Sequence, residues 1–408
     1  MTAAVEFQNV DILFAQQQGR EGNKAIKEAL VALDAGGTRS DIQNKYGVIV
    51  GVAGASLSVA RGEISVLMGL SGSGKSTLLR AANGLNPVTR GRVLIRGGGA
   101  ADAADAGAAI DVASCSTEQL REVRRLRVAM VFQQFGLLPW RTVRENVGLG
   151  LELRGETAAT RKSVVDEKLE LVGLTQWAGR YVSELSGGMQ QRVGLACAFA
   201  TDADILLMDE PFSALDPLIR GKLQDELLAL QERVKKTILF VSHDLDEALR
   251  LGDKISILQN GRIIQTGTAE DIVLAPADDY VAEFVRHMNP LDVLTGSMIM
   301  RERADLAREG DALWLDDLRR YRLSVNPADE ALSLHLDGVA HDLRYVNDDA
   351  GLGSVEPGLA VAPASFSLQS IIRLRQTTGH PVLLSEGGKI IGVACQTEII
   401  KALAGSRQ

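Results

Sequence analysis

The sequence predicts an α/β fold organised around a parallel sheet. Three short apolar runs, 64–68, 205–208 and 237–241, have the length and composition of buried strands, and helical patterns separate them. A glycine-rich segment, residues 69–77, directly follows the first run and leads into a helical pattern over 77–82. Alternating strands and helices are typical of a parallel sheet, because a helix returns the chain between neighbouring parallel strands.

The N-terminal part predicts further strands before the glycine-rich segment. One covers residues 5–14, and two more lie within residues 48–60. A polar insert at about residues 15–45 separates them. Within it, Asn23 to Leu33 has helical spacing, and Gly36-Gly37 ends that helix.

The middle of the chain predicts a loop, a helical region and a hairpin. Residues 97–109 are low in complexity and predict a surface loop to which we assign no chemistry. Helical patterns dominate from 160 to 200. We expect a helical subdomain over about 134–200. A further helix begins at Pro217, since proline is favoured in a first helical turn. The Asn260-Gly261 pair between alternating runs predicts a hairpin over 254–267.

The character of the sequence changes after about residue 287, where it becomes polar and rich in turns. We therefore expect two domains, 1–287 and 288–408. The clearest pattern in the second is helix–strand–strand–helix over 367–403, which indicates a small α+β domain.

Composition narrows the class of protein. The net charge of −8 predicts no general basic face, so nucleic acid is not expected as the main partner. No run approaches the ~18 apolar residues that cross a bilayer, and the first residues lack the pattern of an export signal. Cys115, Cys197 and Cys395 show neither metal-ligand spacing nor an even disulfide set. We expect a protein of a reducing cytosol that neither spans the membrane nor is exported.

Residues 69–77 read Gly-Leu-Ser-Gly-Ser-Gly-Lys-Ser-Thr and fit the phosphate-binding pattern G-x-x-x-x-G-K-[ST]. Glycines let the backbone turn so that several N–H groups and a helix N-terminus point at phosphate oxygens. Lys75 adds a point charge, and Ser76 is expected to bind Mg²⁺. The predicted nucleotide contacts of this glycine loop are Gly69, Ser71, Gly72, Ser73, Gly74, Lys75, Ser76 and Thr77.

Two carboxylates follow the apolar run at 205–208. Asp209 ends a predicted buried strand, where a carboxylate can hold Mg²⁺ beside a phosphate-binding loop. Glu210 comes next and can polarise a water as general base. An exposed turn is the other interpretation of these two residues. A second anion-binding helix start at Ser186-Gly187-Gly188 favours the chemical one.

Taken in order, these motifs resemble the nucleotide-binding subunit of an ATP-binding cassette (ABC) transporter. The resemblance implies a P-loop NTPase fold with a helical subdomain, and ATP and Mg²⁺ as cofactors. It also implies a homodimer in which Ser186 to Gly188 of one copy closes on the nucleotide held by the other. The implied catalytic residues are Glu210, His243, Gln133 and Lys75. The implied Mg²⁺ ligands are Ser76, Gln133 and Asp209. The further implied ATP contacts are Gln133, Ser186, Gly187, Gly188, Gln190, Asp216 and His243. Adjacent Gln134 leaves the register of Gln133 open.

An adenine ring needs an aromatic partner upstream of the glycine loop. Tyr46 lies ahead of Gly62-Glu63 as in related importers, so the resemblance implies that Tyr46 stacks on adenine. The alternative is that Tyr46 is a packing residue after the insert.

Residues 133–147 resemble the segment with which importers form a groove for their membrane subunit. Leu137, Leu138 and Trp140 would make that surface apolar, whereas the alternative buries them within the helical subdomain.

Residues 209–227 and 242–248, together with the insert before Tyr46, resemble the quaternary-amine uptake group, whose substrates include glycine betaine, proline betaine and choline. Residues 1–14, 136–140 and 197–200 are most similar to the choline system. The resemblance implies integral-membrane permease subunits and a periplasmic or extracellular substrate-binding protein as partners. It implies a peripheral location on the cytoplasmic face of a bacterial inner membrane.

Two features depart from that group. Cys197 stands where relatives usually carry arginine, which should alter local packing or a charge contact. The C-terminal extension of the group is a pair of cystathionine-β-synthase-type (CBS) modules, but only 367–403 shows that pattern here, as a degenerate CBS-like unit. The first module, about 290–355, cannot be assigned.

The competing function is that of a non-transport cassette ATPase of DNA repair or translation. Repair types interrupt the nucleotide domain with long coiled coil, and translation types carry two cassettes in one chain. This sequence has neither feature.

Overall fold

The computed structural model describes residues 3–17, 19–97, 109–133, 136–213, 215–286, 291, 294–310, 312–325, 332–346 and 358–405. The low-complexity loop predicted within 97–109 therefore lies, between 98 and 108, outside the described residues, and so does Gln134. The chain divides into two compact units, Met1–Ile272 and Val273–Gln408. Within the described ranges, every helix is too short or too polar to cross a membrane.

The first unit contains two sheets. Its strands are β1 Ala3–Ala15, β2 Val48–Ala60, β3 Ile64–Met68, β4 Arg90–Ile95, β5 Ile110–Asp111, β6 Val128–Val131, β7 Ile205–Asp209, β8 Thr237–Val241, β9 Lys254–Gln259 and β10 Arg262–Gly267. Its helices are α1 Gly19–Asp34, α2 Arg39–Tyr46, α3 Lys75–Ala81, α4 Thr117–Glu122, α5 Val143–Arg154, α6 Ala158–Leu171, α7 Gly187–Ala200, α8 Pro217–Val234 and α9 Leu245–Leu251. Helix α10, Ala269–Leu274, begins in this unit and ends in the second.

The larger sheet carries the site. Its strand order is β10-β9-β3-β8-β7-β6, and all neighbours are parallel except β9 and β10. The predicted parallel sheet is confirmed. Strands β3, β7 and β8 are buried along their whole length, as expected for continuous apolar runs. The predicted hairpin is also confirmed: Asn260 and Gly261 both have positive φ, 50° and 81°, as a two-residue hairpin turn requires.

The second sheet of this unit is antiparallel, in the order β2-β1-β4-β5. The prediction of two strands within 48–60 is wrong, because β2 runs unbroken through Gly51 and Gly54. Bulges in the β1–β2 pairing, two of them beside Ile12, take up the extra residues there, so the glycines bend the strand instead of ending it. The two sheets share one core, in which Phe7 and Val52 lie with Leu78, Leu207 and Leu239.

The polar insert folds into two helices, of which the sequence indicated only α1. The second, α2, begins with a capping box between Thr38 and Asp41 and ends at Gly47, whose φ is 62°. A small apolar cluster holds the insert on β1 and β2; its buried members are Leu13, Ala29, Leu33, Ile42, Val48, Val50 and Ala53.

The second unit has two five-stranded sheets. One has the order β11-β20-β19-β18-β17, and the other is an antiparallel meander, β12 to β16. Its strands are β11 Arg301–Glu302, β12 Ala307–Glu309, β13 Ala312–Trp314, β14 Tyr321–Val325, β15 Leu332–Leu336, β16 Val339–His341, β17 Leu343–Tyr345, β18 Leu359–Pro363, β19 Val382–Glu386 and β20 Lys389–Ala394. Its helices are Asp279–Arg286, Gly296–Ile299, Leu368–Thr378 and Gln396–Gly405.

The last four elements of the second unit follow the helix–strand–strand–helix order expected over 367–403. The region that the sequence left unassigned, about 290–355, contains the meander, whose strands have five residues or fewer. Residues 326–331 and 347–357 of that region lie outside the described residues.

Candidate functional site

The glycine loop connects β3 to α3 and has a backbone that only glycine adopts easily. Gly69, Gly72 and Gly74 have φ of 143°, 77° and 107°. A Cβ on Gly69 would lie 2.2 Å from the Leu258 carbonyl oxygen, and one on Gly74 would lie 2.4 Å from that of Gly51. The loop is therefore seated between β9 and β2, and larger residues would push it out.

Lys75 is buried inside this loop. Its Nζ donates to the carbonyl oxygens of Gly69, at 2.7 Å, and Leu70, at 3.0 Å. Burial lowers the pKa of Lys75, while the Glu210 and Asp209 carboxylates oppose that shift. The ammonium group thus stands at the centre of the predicted phosphate cradle. Beside it, the buried Ser73 hydroxyl has no hydrogen-bond partner among the described residues.

Ser76 and Asp209 are brought together as predicted for a cation site. The Ser76 hydroxyl donates to Asp209 Oδ1 at 2.6 Å, and the Asp209 carboxylate is fully buried at the end of β7. The other carboxylate oxygen accepts from Arg80 Nη2 at 2.8 Å and from Arg80 Nε at 3.1 Å. Arg80, on α3, therefore fixes the Asp209 carboxylate so that Oδ1 faces Ser76.

Glu210, Gln133 and His243 converge on one oxygen atom. Glu210 Oε2 accepts from Gln133 Nε2 at 3.0 Å and lies 3.4 Å from His243 Nδ1. These residues follow β7, β6 and β8, which are neighbours in the sheet. Their side chains meet because parallel strands present their carboxyl ends at the same edge. Gln133 is thus in contact with the candidate base.

Glu210 is held in an uncommon backbone conformation. Its φ is 49°, in the left-handed region that costs a non-glycine residue free energy. Its N–H donates to Val241, and its carbonyl oxygen accepts from Gln191 Nε2 at 3.2 Å and from Ser213 Oγ at 3.0 Å. These bonds maintain the turn that directs the side chain towards His243.

The Ser186-Gly187-Gly188 segment forms the start of α7, as predicted. Ser186 is the N-cap, and its hydroxyl accepts from the Met189 N–H at 3.4 Å. Ser186 and Gly187 are exposed. Gln190 points back into its own chain, where its Nε2 donates to the carbonyl oxygens of Val182 and Leu185, both at 3.1 Å. Helix α7 thus begins at an exposed pair of residues, and the N–H groups of a first helical turn, which have no partner within the helix, can bind an anion.

Asp216 lies at the start of α8. It is the N-cap of that helix, and its Oδ1 accepts from the Ile219 N–H at 3.0 Å. Ala214, in the same loop, lies outside the described residues. Helix α8 is tied to the segment that bears His243 through Arg220 and Asp244, at 3.1 Å, and through Gln224 and Glu247, at 2.9 Å.

Tyr46, the predicted adenine partner, is half-buried against the apolar cluster under the insert, and Lys45 Nζ lies 5.1 Å from its ring centroid. A second aromatic candidate, which the sequence did not single out, is Phe14. Its ring edge and the Thr77 methyl group lie 2.9 and 3.0 Å from the position that a Cβ on Gly51 would take. Phe14 is 36% exposed. The available signal was an aromatic residue at the end of a strand, just before a polar insert.

An apolar groove of about 330 Å³ is lined by Phe132, which directly precedes Gln133 in the chain. Leu137, predicted to contribute to such a surface, lines it together with Phe132, Leu149, Leu153 and Cys197. Trp140 is 71% exposed, so the alternative that buries it is wrong, whereas Leu138 is half-buried. Burial raises the pKa of the Cys197 thiol to about 12.

Comparison with known proteins assigns the family. Residues 52–213 match the model of the family described as ABC transporter. The glycine betaine/carnitine transport ATP-binding protein GbuA of Listeria monocytogenes is 40% identical over 94% of this chain and 95% of its own length. The glycine betaine/proline betaine transport system ATP-binding protein ProV of Escherichia coli is 46% identical, covering 74% of this chain and 70% of its own.

A solved structure gives the same assignment for the first part of the chain. The ATP-binding cassette MJ0796, in a dimeric post-hydrolysis state bound to ADP and Pi, aligns with a TM-score of 0.52 at 29% identity. The alignment covers 65% of this chain and 98% of that one. The phosphate loop, the paired carboxylates and these similarities agree: the chain belongs to the ATP-binding subunits of ABC transporters, which are transport-coupled ATPases.

Proposed function

We propose that this chain is the ATP-hydrolysing subunit of an importer for a quaternary ammonium compound. The observation that carries the proposal is the similarity to a glycine betaine/carnitine transport subunit over 94% of the chain, so that it includes the C-terminal unit. Glycine betaine is named for both reported relatives, whereas choline remains the prediction drawn from the sequence resemblance. The non-transport alternative has no such support.

The phosphate side of the reaction rests on the glycine loop. Lys75 holds its ammonium group at the centre of the loop, and α3 begins at that residue, so N–H groups and charge act together on the β- and γ-phosphates. Preorganised charge of this kind stabilises the transition state because it needs no reorganisation when the reaction occurs.

The residues present fit a magnesium ion. Mg²⁺ prefers oxygen ligands, and Ser76 and Asp209 supply a hydroxyl and a buried carboxylate 2.6 Å apart. Ser76, Asp209 and the predicted ligand Gln133 would hold the ion. When bound, Mg²⁺ neutralises charge on the β- and γ-phosphate oxygens.

Glu210 is the proposed general base. Its carboxylate accepts from Gln133, which orients it, and lies beside His243. The His243 side chain is 60% exposed, so it can reach a phosphate as well as Glu210. In the proposed step, Glu210 takes a proton from a water that attacks the γ-phosphate, and Gln133 and His243 hold that water in line.

The proposed active form is a homodimer that encloses two ATP molecules. Its support is the exposed start of α7 at Ser186 and Gly187, an anion-binding terminus available to another copy, and the dimeric state reported for MJ0796. In this arrangement Ser186, Gly187 and Gly188 of one copy complete the site formed by Lys75 and Glu210 of the other. ATP closes the dimer and hydrolysis reopens it.

The groove lined by Phe132 is the proposed docking surface for the permease subunits. It is apolar, Phe132 directly precedes the residue that contacts the candidate base, and Leu153 at its rim is 67% exposed. A Leu153→Glu variant should lose co-purification with the permease and keep the ATPase activity of the isolated subunit. Unchanged co-purification would argue against this surface.

A substrate-binding protein outside the membrane would act only through the permease. The ATPase would be peripheral on the cytoplasmic face of a bacterial inner membrane.

Uptake measurements test the proposed function. Cells with and without this subunit are compared for uptake of labelled choline, glycine betaine and proline, with Glu210→Gln as the inactive control. The proposal expects uptake of at least one quaternary amine to require the active subunit. Uptake of all three that is independent of the subunit would overturn it, and a choline-only result would support the choline prediction.

The C-terminal unit is a proposed regulatory module, CBS-like at 367–403. We expect added nucleotide or salt to change the ATPase activity of the full chain, and to leave unchanged that of a chain ending near residue 287. The same response in both chains would remove the regulatory role.

A further inference from the structure

A residue of the polar insert reaches the glycine loop. Arg39 Nη1 donates to the Gly72 carbonyl oxygen at 3.0 Å. Arg39 is the first residue of α2, whereas Gly72 is at the turn of the loop, where φ is 77°. The insert and the predicted phosphate cradle are thus joined by a hydrogen bond from a charged group, which is stronger than one between neutral partners.

The insert is anchored firmly enough to position that arginine. Its apolar cluster includes Ile42 of α2, which is 1% exposed. Arg90 of β4 also binds the insert, through Asp34 at 2.7 Å, and it binds Asp11 of β1 at 2.6 Å. The Thr38–Asp41 capping box fixes the turn from which Arg39 projects.

Among the residues that the structure describes, Arg39 has no counter-ion. None of the described carboxylates lies within ion-pair distance of it, and its side chain is half-buried. A guanidinium group carries five N–H donors, of which the Gly72 bond uses one. An uncompensated, partly desolvated cation therefore lies against the loop that is proposed to bind a polyanion.

We propose that Arg39 is a nucleotide-binding residue contributed by the insert. It holds the turn of the glycine loop through Gly72 and adds positive charge for the phosphates of ATP. The inference rests on ATP binding by this loop. The affinity for ATP then depends on the insert as well as on the Lys75 to Thr77 segment.

The first test compares variants of the full-length protein by the Kd for ATP. Arg39→Gln removes the positive charge and the planar set of guanidinium N–H donors. It should weaken ATP binding by about three- to tenfold, the range expected for the loss of one partly exposed hydrogen bond. Its effect on the KM for ATP should exceed its effect on kcat, because Arg39 contacts the loop and not the attacking water. Arg39→Lys keeps the charge and should lose less.

The matched control is Lys27→Gln, which removes one positive charge from the same insert at an exposed position on α1. It should bind ATP within about twofold of the parent. If Arg39→Gln binds ATP as tightly as the parent, or Lys27→Gln weakens binding equally, the inference is overturned. A parent protein that does not bind ATP would instead count against the proposed function.

A second test needs no variant. An arginine-specific dicarbonyl reagent is applied to the native protein, and modification of each arginine is followed by mass spectrometry. ATP, but not adenosine, should protect Arg39, while Arg20 on the same insert should react at the same rate throughout. Equal modification of Arg39 with and without ATP would overturn the inference even if Arg39→Gln failed to fold.

Discussion

His243 Nδ1 lies 3.4 Å from Glu210 Oε2, and the two residues follow neighbouring parallel strands. The candidate general base Glu210 thus lies beside the exposed imidazole of His243 at the edge of the sheet. Changing Glu210 to Gln keeps the size of the side chain and removes its basicity. We expect kcat to fall by about 10²- to 10⁴-fold, as for loss of a general base. Steady-state phosphate release measures the effect.

The same variant should still bind ATP, because the contacts of Lys75 and Ser76 do not involve Glu210 hydrogen bonds. Trapped by unhydrolysed ATP, it should elute as a dimer in size-exclusion chromatography. Normal turnover in Glu210→Gln would refute the assignment of the base. A monomer at saturating ATP would refute the dimer model and leave the base assignment standing.

Asp209 offers a test of the magnesium site. Asp209→Asn removes a buried negative charge that Ser76 and Arg80 both contact. We expect Mg²⁺ to strengthen ATP binding in the parent protein and to have about a tenfold smaller effect in the variant. Calorimetric titration of ATP with Mg²⁺ and with EDTA gives the comparison. An equal effect of Mg²⁺ in both proteins would exclude Asp209 as a ligand.

The parallel sheet could be predicted because its central strands are buried on both faces and therefore appear as unbroken apolar runs. β3 and β8 have the bounds that the sequence indicated, and β7 extends one residue further. Helix α2 was missed because its sequence, Arg-Ser-Asp-Ile-Gln-Asn-Lys-Tyr, has a single buried residue, Ile42. Its capping residues, Thr38 and Asp41, were a usable signal.

The candidate site residues divide in the same way, into those that a local pattern predicts and those that it does not. Motif spacing predicted Lys75, Asp209 and Glu210 as site residues, because each lies close in sequence to the end of a strand. Phe14 and Arg39 reach the glycine loop only through tertiary contacts of β2 and the insert. No local pattern encodes the contact of Arg39, and the only local signal for Phe14 was an aromatic residue at the end of a strand, so sequence reasoning did not identify these two residues.

The burial of Glu247 predicts that the stability of the folded state depends on pH. It is 8% exposed, and burial raises its pKa, although hydrogen bonds from Ser242 and Gln224 oppose the shift. The folded state therefore binds this proton more tightly than the unfolded state. The stability that this protonation contributes is complete below the unfolded pKa and is lost as the pH rises through the folded pKa.

In Glu247→Gln this titration is absent. We expect the parent to lose unfolding temperature relative to the variant as the pH increases above about 4.5, the ordinary glutamate value. Differential scanning calorimetry of both proteins from pH 4 to 8 measures the difference. A difference that stays constant over this range would contradict the raised pKa.

Phe14 and Tyr46 give opposite predictions for ATP binding and for stability. Phe14 and Thr77 of the glycine loop both lie next to Gly51, and Phe14 is partly exposed, so a base can stack on its ring. Phe14→Ala should weaken ATP binding by roughly fivefold or more, at about 1 kcal/mol or above for one stacked base. Phe14→Tyr, which retains the ring, should bind ATP like the parent.

Tyr46→Ala should mainly lower the unfolding temperature, by a few degrees, because it removes part of the insert's apolar cluster. ATP titration and thermal unfolding of the three variants separate the two roles. If Tyr46→Ala weakens ATP binding and Phe14→Ala does not, the adenine stacks on Tyr46, as the sequence resemblance implied.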